Sequence, residues 1–271
     1  MPKDWRFLSD GLQPASYNMA LDEALLLEYA EERIPTLRLY GWKSLSLSLG
    51  FSQRAEEVID IEACRIRKVP FVRRMSGGGV LAHADEITYS IVCSQADLNV
   101  PLLPKAGFQR LCSFLIAFYR KLSLTADFAR QQSSGRVSDR RSFCLSSCQE
   151  YDLLIGGKKI GGNAQRRKRD RILQHGVIPL SLRLKDLRGL VREDISDLKD
   201  RTATLVDLCG RRPARGKLYD LLRQSFEETF SCRLLERGLT EAERRTAERL
   251  EREKYRSESW NRKNAEAALV G

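Results

Sequence analysis

Long hydrophobic runs are missing from this sequence. The most apolar stretch, Leu111–Tyr119, is interrupted by Cys112 and Ser113, whereas a membrane span needs about 20 apolar residues. No membrane association is therefore expected. The opening Met1-Pro-Lys-Asp-Trp-Arg has no apolar export core, so a cytoplasmic protein is expected. A disulfide frame is also lacking: the seven cysteines (64, 93, 112, 144, 148, 209, 232) are odd in number and scattered, which suits reduced thiols. Cys144 and Cys148 form the one close pair, with no second pair and no neighbouring histidine; a zinc site, and any metal, is not expected. Internal repeats and low-complexity linkers are absent too. What remains is 271 residues with 42% hydrophobic and 31% charged composition, enough to bury a real core as one domain over 1–271.

The charge is unbalanced: 47 basic against 36 acidic residues leave a formal +11. Such an excess favours acidic partners, among them nucleic acid, an anionic surface, a phosphate-bearing ligand or an acidic carrier protein. The run Gln165-Arg-Arg-Lys-Arg-Asp-Arg171 could meet phosphates, but no aromatics are interleaved for base stacking, so nucleic acid ranks low.

Periodicity predicts an α+β fold, a mixed or antiparallel sheet flanked by helices. Ser16–Glu31 has helical spacing with Ser16 as its cap; Leu45-Ser-Leu-Ser-Leu alternates as a half-buried strand; Ala55–Arg67 reads as helix. Short strands are expected at Pro70–Arg73, Ile87–Cys93, Tyr151–Ile155, Lys159–Ala164 and Ile172–Leu182, and an amphipathic helix at Lys105–Leu122. Gly156-Gly157 suits a hairpin turn. The polar Gln131–Ser142 segment reads as a mobile loop, and 185–271 as a mainly helical portion of the same domain.

Two segments are dense in chemistry. In Arg73-Arg74-Met75-Ser76-Gly77-Gly78-Gly79-Val80-Leu81-Ala82-His83, consecutive glycines let a ligand approach the backbone and leave N–H groups to meet an anion or carbonyl. The plain alternative is a flexible turn beside a basic patch. In Lys158-Lys159-Ile160-Gly161-Gly162-Asn163-Ala164-Gln165, a lysine beside glycines can point into a cleft and polarise a carbonyl or move protons. Alternation puts Lys158 and Lys159 on opposite faces without saying which faces inward. Cys144 and Cys148 precede this region, whose positive charge would favour a thiolate; most intracellular cysteines are nonetheless inert core residues.

Taken together, these segments resemble the lipoate–protein ligase and octanoyltransferase family, relatives of biotin–protein ligases. The resemblance starts at Trp5-Arg6-Phe7 and Asn18 to Glu23, and runs through Gly50-Phe51-Ser52-Gln53, Arg73 to His83 and Lys159 to Gln165. It extends through Gln174-His175-Gly176 and Tyr255 to Asn261. Cys144, seven residues before Tyr151, matches the nucleophile spacing of the family's cysteine-dependent octanoyltransferases. Gly79 departs from that subgroup's pattern and keeps an ATP-dependent lipoate–protein ligase as the alternative, with a non-catalytic acyl- or nucleic-acid-binding regulator behind it; Ala84, where an Asp usually follows the histidine, is a second departure.

The resemblance implies that Cys144 takes octanoyl from acyl carrier protein as a thioester and that Lys159 assists. It implies transfer to a lysine of a lipoyl domain, such as glycine cleavage H protein or a dehydrogenase E2 subunit. No cofactor is then required; ATP and Mg²⁺ enter only under the ligase alternative. Arg73, Ser76, Gly77, Gly78, Gly79, His83, Gly161, Gly162, Asn163 and Ala164 are the implied substrate-binding residues. Leu47, Leu49, Val80 and Ile160 are the expected lining of an acyl tunnel.

Overall fold

The structure, a computed structural model, describes residues 3–98, 103–129, 143–145 and 150–262. Gln131–Ser142 and Cys148 lie outside these residues. The strands are β1 (Lys3–Gln13), β2 (Thr36–Trp42), β3 (Ser46–Leu49), β4 (Phe71–Arg73), β5 (Leu81–His83) and β6 (Glu86–Ser94). They continue as β7 (Asp127–Phe128), β8 (Leu153–Ile155), β9 (Lys158–Lys159), β10 (Gly162–Lys168), β11 (Arg171–Pro179) and β12 (Cys232–Glu236). Six form a mixed sheet in the order β10-β11-β6-β2-β1-β12; β4-β3-β5 and β7-β8-β9 make two small sheets.

The large sheet is covered on both faces, which is why every residue of β6 is buried. Helices Pro104–Lys121 and Arg215–Phe230 pack Leu111, Phe114, Phe118, Leu222 and Phe226 on one face. On the other lies α1 (Ala15–Glu32), whose Met19, Leu21, Leu25 and Leu26 meet Ala247 and Leu250 of helix Glu241–Leu250. A helix enclosed this way needs no sharp polar face.

The α+β expectation holds, and so do the helix from Lys105 and the strand from Ile87. Several local expectations change. Ser16 does not cap α1; the helix begins after Pro14, and the Ser16 hydroxyl donates to Glu251 Oε1 at 2.7 Å. Ala55–Arg67 divides into two short helices, Ala55–Val58 and Ile61–Ile66, the second capped by Asp60. The region after Lys185 is not all helical: β12 closes the sheet edge, parallel to β1.

The most consequential change is at Lys159–Ala164. Gly161, at φ +99°, breaks the expected strand between Lys159 and Gly162. Lys159 therefore stays in the small sheet opposite Leu154, while Gly162 begins β10 of the large one. This break brings the lysine, the glycines and Cys144 to one place.

Candidate active site

Cys144 is anchored by its backbone: its N–H donates to Val80 O at 2.7 Å, and Val80 and Phe143 form a bridge. It lines a narrow pocket. Gly162 makes room for it, since a Cβ there would lie 2.8 Å from the Cys144 sulfur.

The pocket crosses the large sheet. Gly162 pairs with Val177, Val177 with Thr88 and Thr88 with Tyr40, and all four line it. Three inter-strand steps make this row about 14 Å long. Met19 and Trp42 also line the pocket, near the Tyr40 end. Leu47, Leu49, Val80 and Ile160, the expected tunnel lining, lie instead in the core.

Polar atoms along the pocket have partners of their own, so they need not face a bound chain. Trp42 Nε1 donates to Thr88 Oγ1 at 2.9 Å, and the Tyr40 hydroxyl to Asp22 Oδ2 at 3.0 Å. The His83 ring stacks on Trp42 with centroids 3.6 Å apart, its Nδ1 3.0 Å from Glu86 and its Nε2 2.8 Å from Ser48 Oγ. Burial pushes His83 below its ordinary value of 6.5, Glu86 opposing. His175 sits between Asp22 Oδ2, 3.0 Å from Nδ1, and Ser76 Oγ, 2.6 Å from Nε2. Burial works to raise the Asp22 carboxyl, but the His175 hydrogen bond and the Arg38 charge outweigh it and hold it low. With Asp22 ionised, Nδ1 carries a ring proton and donates it to the carboxylate.

The glycine turn is held by Arg74. Its guanidinium donates to Gly77 O and Gly79 O at 2.9 and 2.8 Å, and to Ser48 O and Oγ at 2.9 and 3.1 Å. Gly78 occupies φ +97°, open to glycine at little cost. Lys159 is buried, donates to the backbone carbonyl of Cys144 at 2.9 Å and pairs with Asp152 Oδ2 at 2.8 Å.

Of the residues expected at the site, Cys144, His83, Gly162, Asn163 and Ala164 line the pocket, and Lys159 reaches the Cys144 backbone behind it. Ser76 stands behind His175, while Gly77 and Gly78 are exposed at the turn and Gly79 is half-buried. Gly161 provides the strand break. Arg73 turns elsewhere: its guanidinium meets the carbonyls of Gly50, Phe51, Gln53, Trp260 and Asn261. Its neighbour Arg74 lines the pocket instead. Alternation along 71–74 would have put the two arginines on opposite faces, but not said which faces inward. Tyr40 and Trp42 on β2, Met19 and Asp22 on α1, and Asp152 just before β8 were not singled out as site residues, because their placement depends on packing between elements distant in sequence. Among the described residues, no group of three His, Cys, Asp or Glu could hold a metal ion, and no helix is long and apolar enough to cross a membrane.

Comparison with known proteins gives this arrangement a context. Octanoyltransferase LipM of Kyrpidia tusciae is 36% identical over 269 residues, covering 95% of this chain and 98% of that protein. Octanoyltransferase LipM of Geobacillus kaustophilus is 35% identical over 270 residues, covering 95% and 97%. A lipoate–protein ligase A structure bound with ATP superposes with a TM-score of 0.81 at 24% identity, covering 96% of this chain and 99% of that one. Residues 14–227 match the lipoyl protein ligase A/B catalytic domain, and the chain belongs to that family.

Proposed function

We propose that this protein is an octanoyltransferase of lipoate biosynthesis, which carries octanoyl from acyl carrier protein to a lipoyl-domain lysine through a thioester on Cys144. The observation carrying this reading is the opening of the cross-sheet pocket onto the Cys144 sulfur beside Gly162. An eight-carbon chain has seven C–C bonds and reaches roughly 9 Å when extended, which fits a row of about 14 Å. Each methylene buried there contributes about 0.8 kcal/mol.

In the first half-reaction, the Cys144 thiolate attacks the donor thioester; its S–C bond forms as the carrier's S–C bond breaks. Lys159 gives a proton to the departing carrier thiolate. In the second, an uncharged acceptor amine attacks the Cys144 thioester, Cys144 leaves as thiolate, and Lys159 takes the proton that the amine loses. The exchange of one thioester for another needs no ATP. The net +11 charge suits acidic carrier and lipoyl domains.

Intact-mass measurement after mixing with octanoyl-acyl carrier protein tests the reading. A single octanoyl adduct, absent from Cys144→Ser and discharged by an acceptor lipoyl domain, is expected without ATP. Activity that requires ATP and free octanoate or lipoate, and survives Cys144→Ser, would establish ligase chemistry instead. Saturable binding with no product would indicate a regulator.

A further inference from the structure

We propose that Arg74 is the charge partner of the Cys144 thiolate, a role separate from the proton handling of Lys159. The inference rests on Cys144 as the nucleophile and divides its electrostatic support between two cations.

Both Arg74 and Cys144 line the acyl pocket, and Arg74 is its one arginine or lysine among the described residues. The chain holds the two close. Arg74 Nη2 donates to Gly79 O, and the next carbonyl, that of Val80, accepts the Cys144 N–H. Arg74 is 4% exposed, and its hydrogen bonds go to the neutral oxygens of Ser48, Gly77 and Gly79. Among the described residues, no carboxylate forms an ion pair with it. A buried guanidinium without a carboxylate is costly unless another anion is near. Burial pushes Arg74 down, and negative charge on Cys144 pulls it back.

Lys159 stands differently. It is already paired with Asp152 and bonded to a backbone carbonyl, so much of its field is compensated. It also discharges in the catalytic cycle: it is neutral from the moment it protonates the carrier thiolate until it takes the acceptor amine's proton. A guanidinium does not give up its proton in proteins, so Arg74 stays cationic through both halves. Tyr40, His83 and His175 are the other titratable groups on the pocket. Burial keeps the Tyr40 phenol protonated and disfavours the charged form of His83, while His175 is bound between Asp22 and Ser76.

The test is the pH profile of Cys144 alkylation by iodoacetamide, followed by peptide mass spectrometry, in wild type, Arg74→Gln, Arg74→Lys and Lys159→Gln. Arg74→Gln is expected to slow alkylation at neutral pH about tenfold or more, displacing the profile upward by about one pH unit or more. Arg74→Lys is expected to fall between it and wild type, because a point charge replaces the fork. Lys159→Gln is read beside the double variant Lys159→Gln/Asp152→Asn, which removes the pair without stranding the Asp152 carboxylate and is expected to stay within about threefold of wild type. A folded Arg74→Gln with the wild-type profile overturns the proposal. If Arg74→Gln does not fold, the double variant Lys159→Gln/Asp152→Asn decides, because it removes the pair without stranding a buried charge: a near-wild-type profile supports Arg74, and an upward displacement of about one unit overturns it. The assay needs no acyl donor, so failure of Cys144 to take octanoyl would be read separately.

Discussion

The ammonium of Lys159 donates to the backbone carbonyl of Cys144 at 2.9 Å, tying the lysine to the residue that carries the sulfur. The two should fail differently when altered. Cys144→Ser is expected to abolish the octanoyl adduct. Lys159→Met is expected to slow both steps: discharge to the acceptor by about 10²–10⁴-fold, the usual range for loss of proton transfer, and acylation by less, because a carrier thiolate can leave unprotonated. Single-turnover measurements of acylation and discharge separate the steps. Undiminished acylation and discharge in a folded Lys159→Met would mean that the lysine moves no proton in either step.

Asp152 contributes to the same unit. It is 6% exposed and holds Lys159 at 2.8 Å. Asp152→Asn leaves a buried ammonium without its carboxylate and is expected to cost about 3–5 kcal/mol. Denaturant unfolding checks this; a cost below about 1 kcal/mol would show that the pair is well solvated.

Gly162→Ala is a more local perturbation. The added Cβ would lie 2.8 Å from the Cys144 sulfur, closer than contact allows, and sulfur at the end of its side chain is the part that can yield. Stability should change by less than about 1 kcal/mol, while acylation of Cys144 falls at least about tenfold, as a displaced nucleophile predicts. Thermal unfolding and adduct formation are the paired readouts. Wild-type acylation would mean that the sulfur reacts from another position.

Legibility of the sequence varied with the range of the interactions involved. The helix from Lys105 and the buried strand from Ile87 depend on local periodicity and could be read directly. The glycine pair at 161–162 was legible as a place of close approach, but not as the point where the chain changes sheets. That depends on the φ of Gly161 and on Val177 pairing with Gly162. Arg73 and Arg74 look equivalent in sequence. Their roles diverge because one meets carbonyls of the C-terminal segment and the other the glycine turn. Asp22, Ser76 and His175 each fall in a segment that carries the family resemblance, but the chain joining them links residues remote in sequence and could not be read from it. β1 and β12 were missed for a related reason: their polar and charged residues hide strands that complete a sheet edge.

His83 makes stability depend on pH. Burial lowers its folded-state value below the ordinary 6.5, so below about that pH the unfolded chain binds more protons than the folded one. Its contribution is present above the unfolded value and is lost as pH falls toward the folded value. Asp22, also held low, acts with the same sign in a more acidic range, from its ordinary 3.8 downward. Cooling of the melting temperature between about pH 7.5 and 5.5 should therefore be smaller in His83→Gln than in wild type. Identical slopes in the two proteins would remove His83 as the cause.

The C-terminal segment secures the site from outside the pocket. Asn261 Oδ1 accepts the Arg73 backbone N–H at 2.8 Å, and its amide donates to Tyr255 O at 2.9 Å. Trp260 Nε1 donates to Arg73 O at 2.9 Å. These bonds fix the residue immediately before Arg74, and therefore the start of the glycine turn. Asn261→Ala strands the buried Arg73 N–H and is expected to cost about 1–3 kcal/mol. Because the loss lies in the segment leading to Arg74, acylation of Cys144 should fall even where the variant remains fully folded. Parallel denaturant unfolding and single-turnover acylation check this; lowered stability with unchanged acylation would confine the clamp to holding the fold.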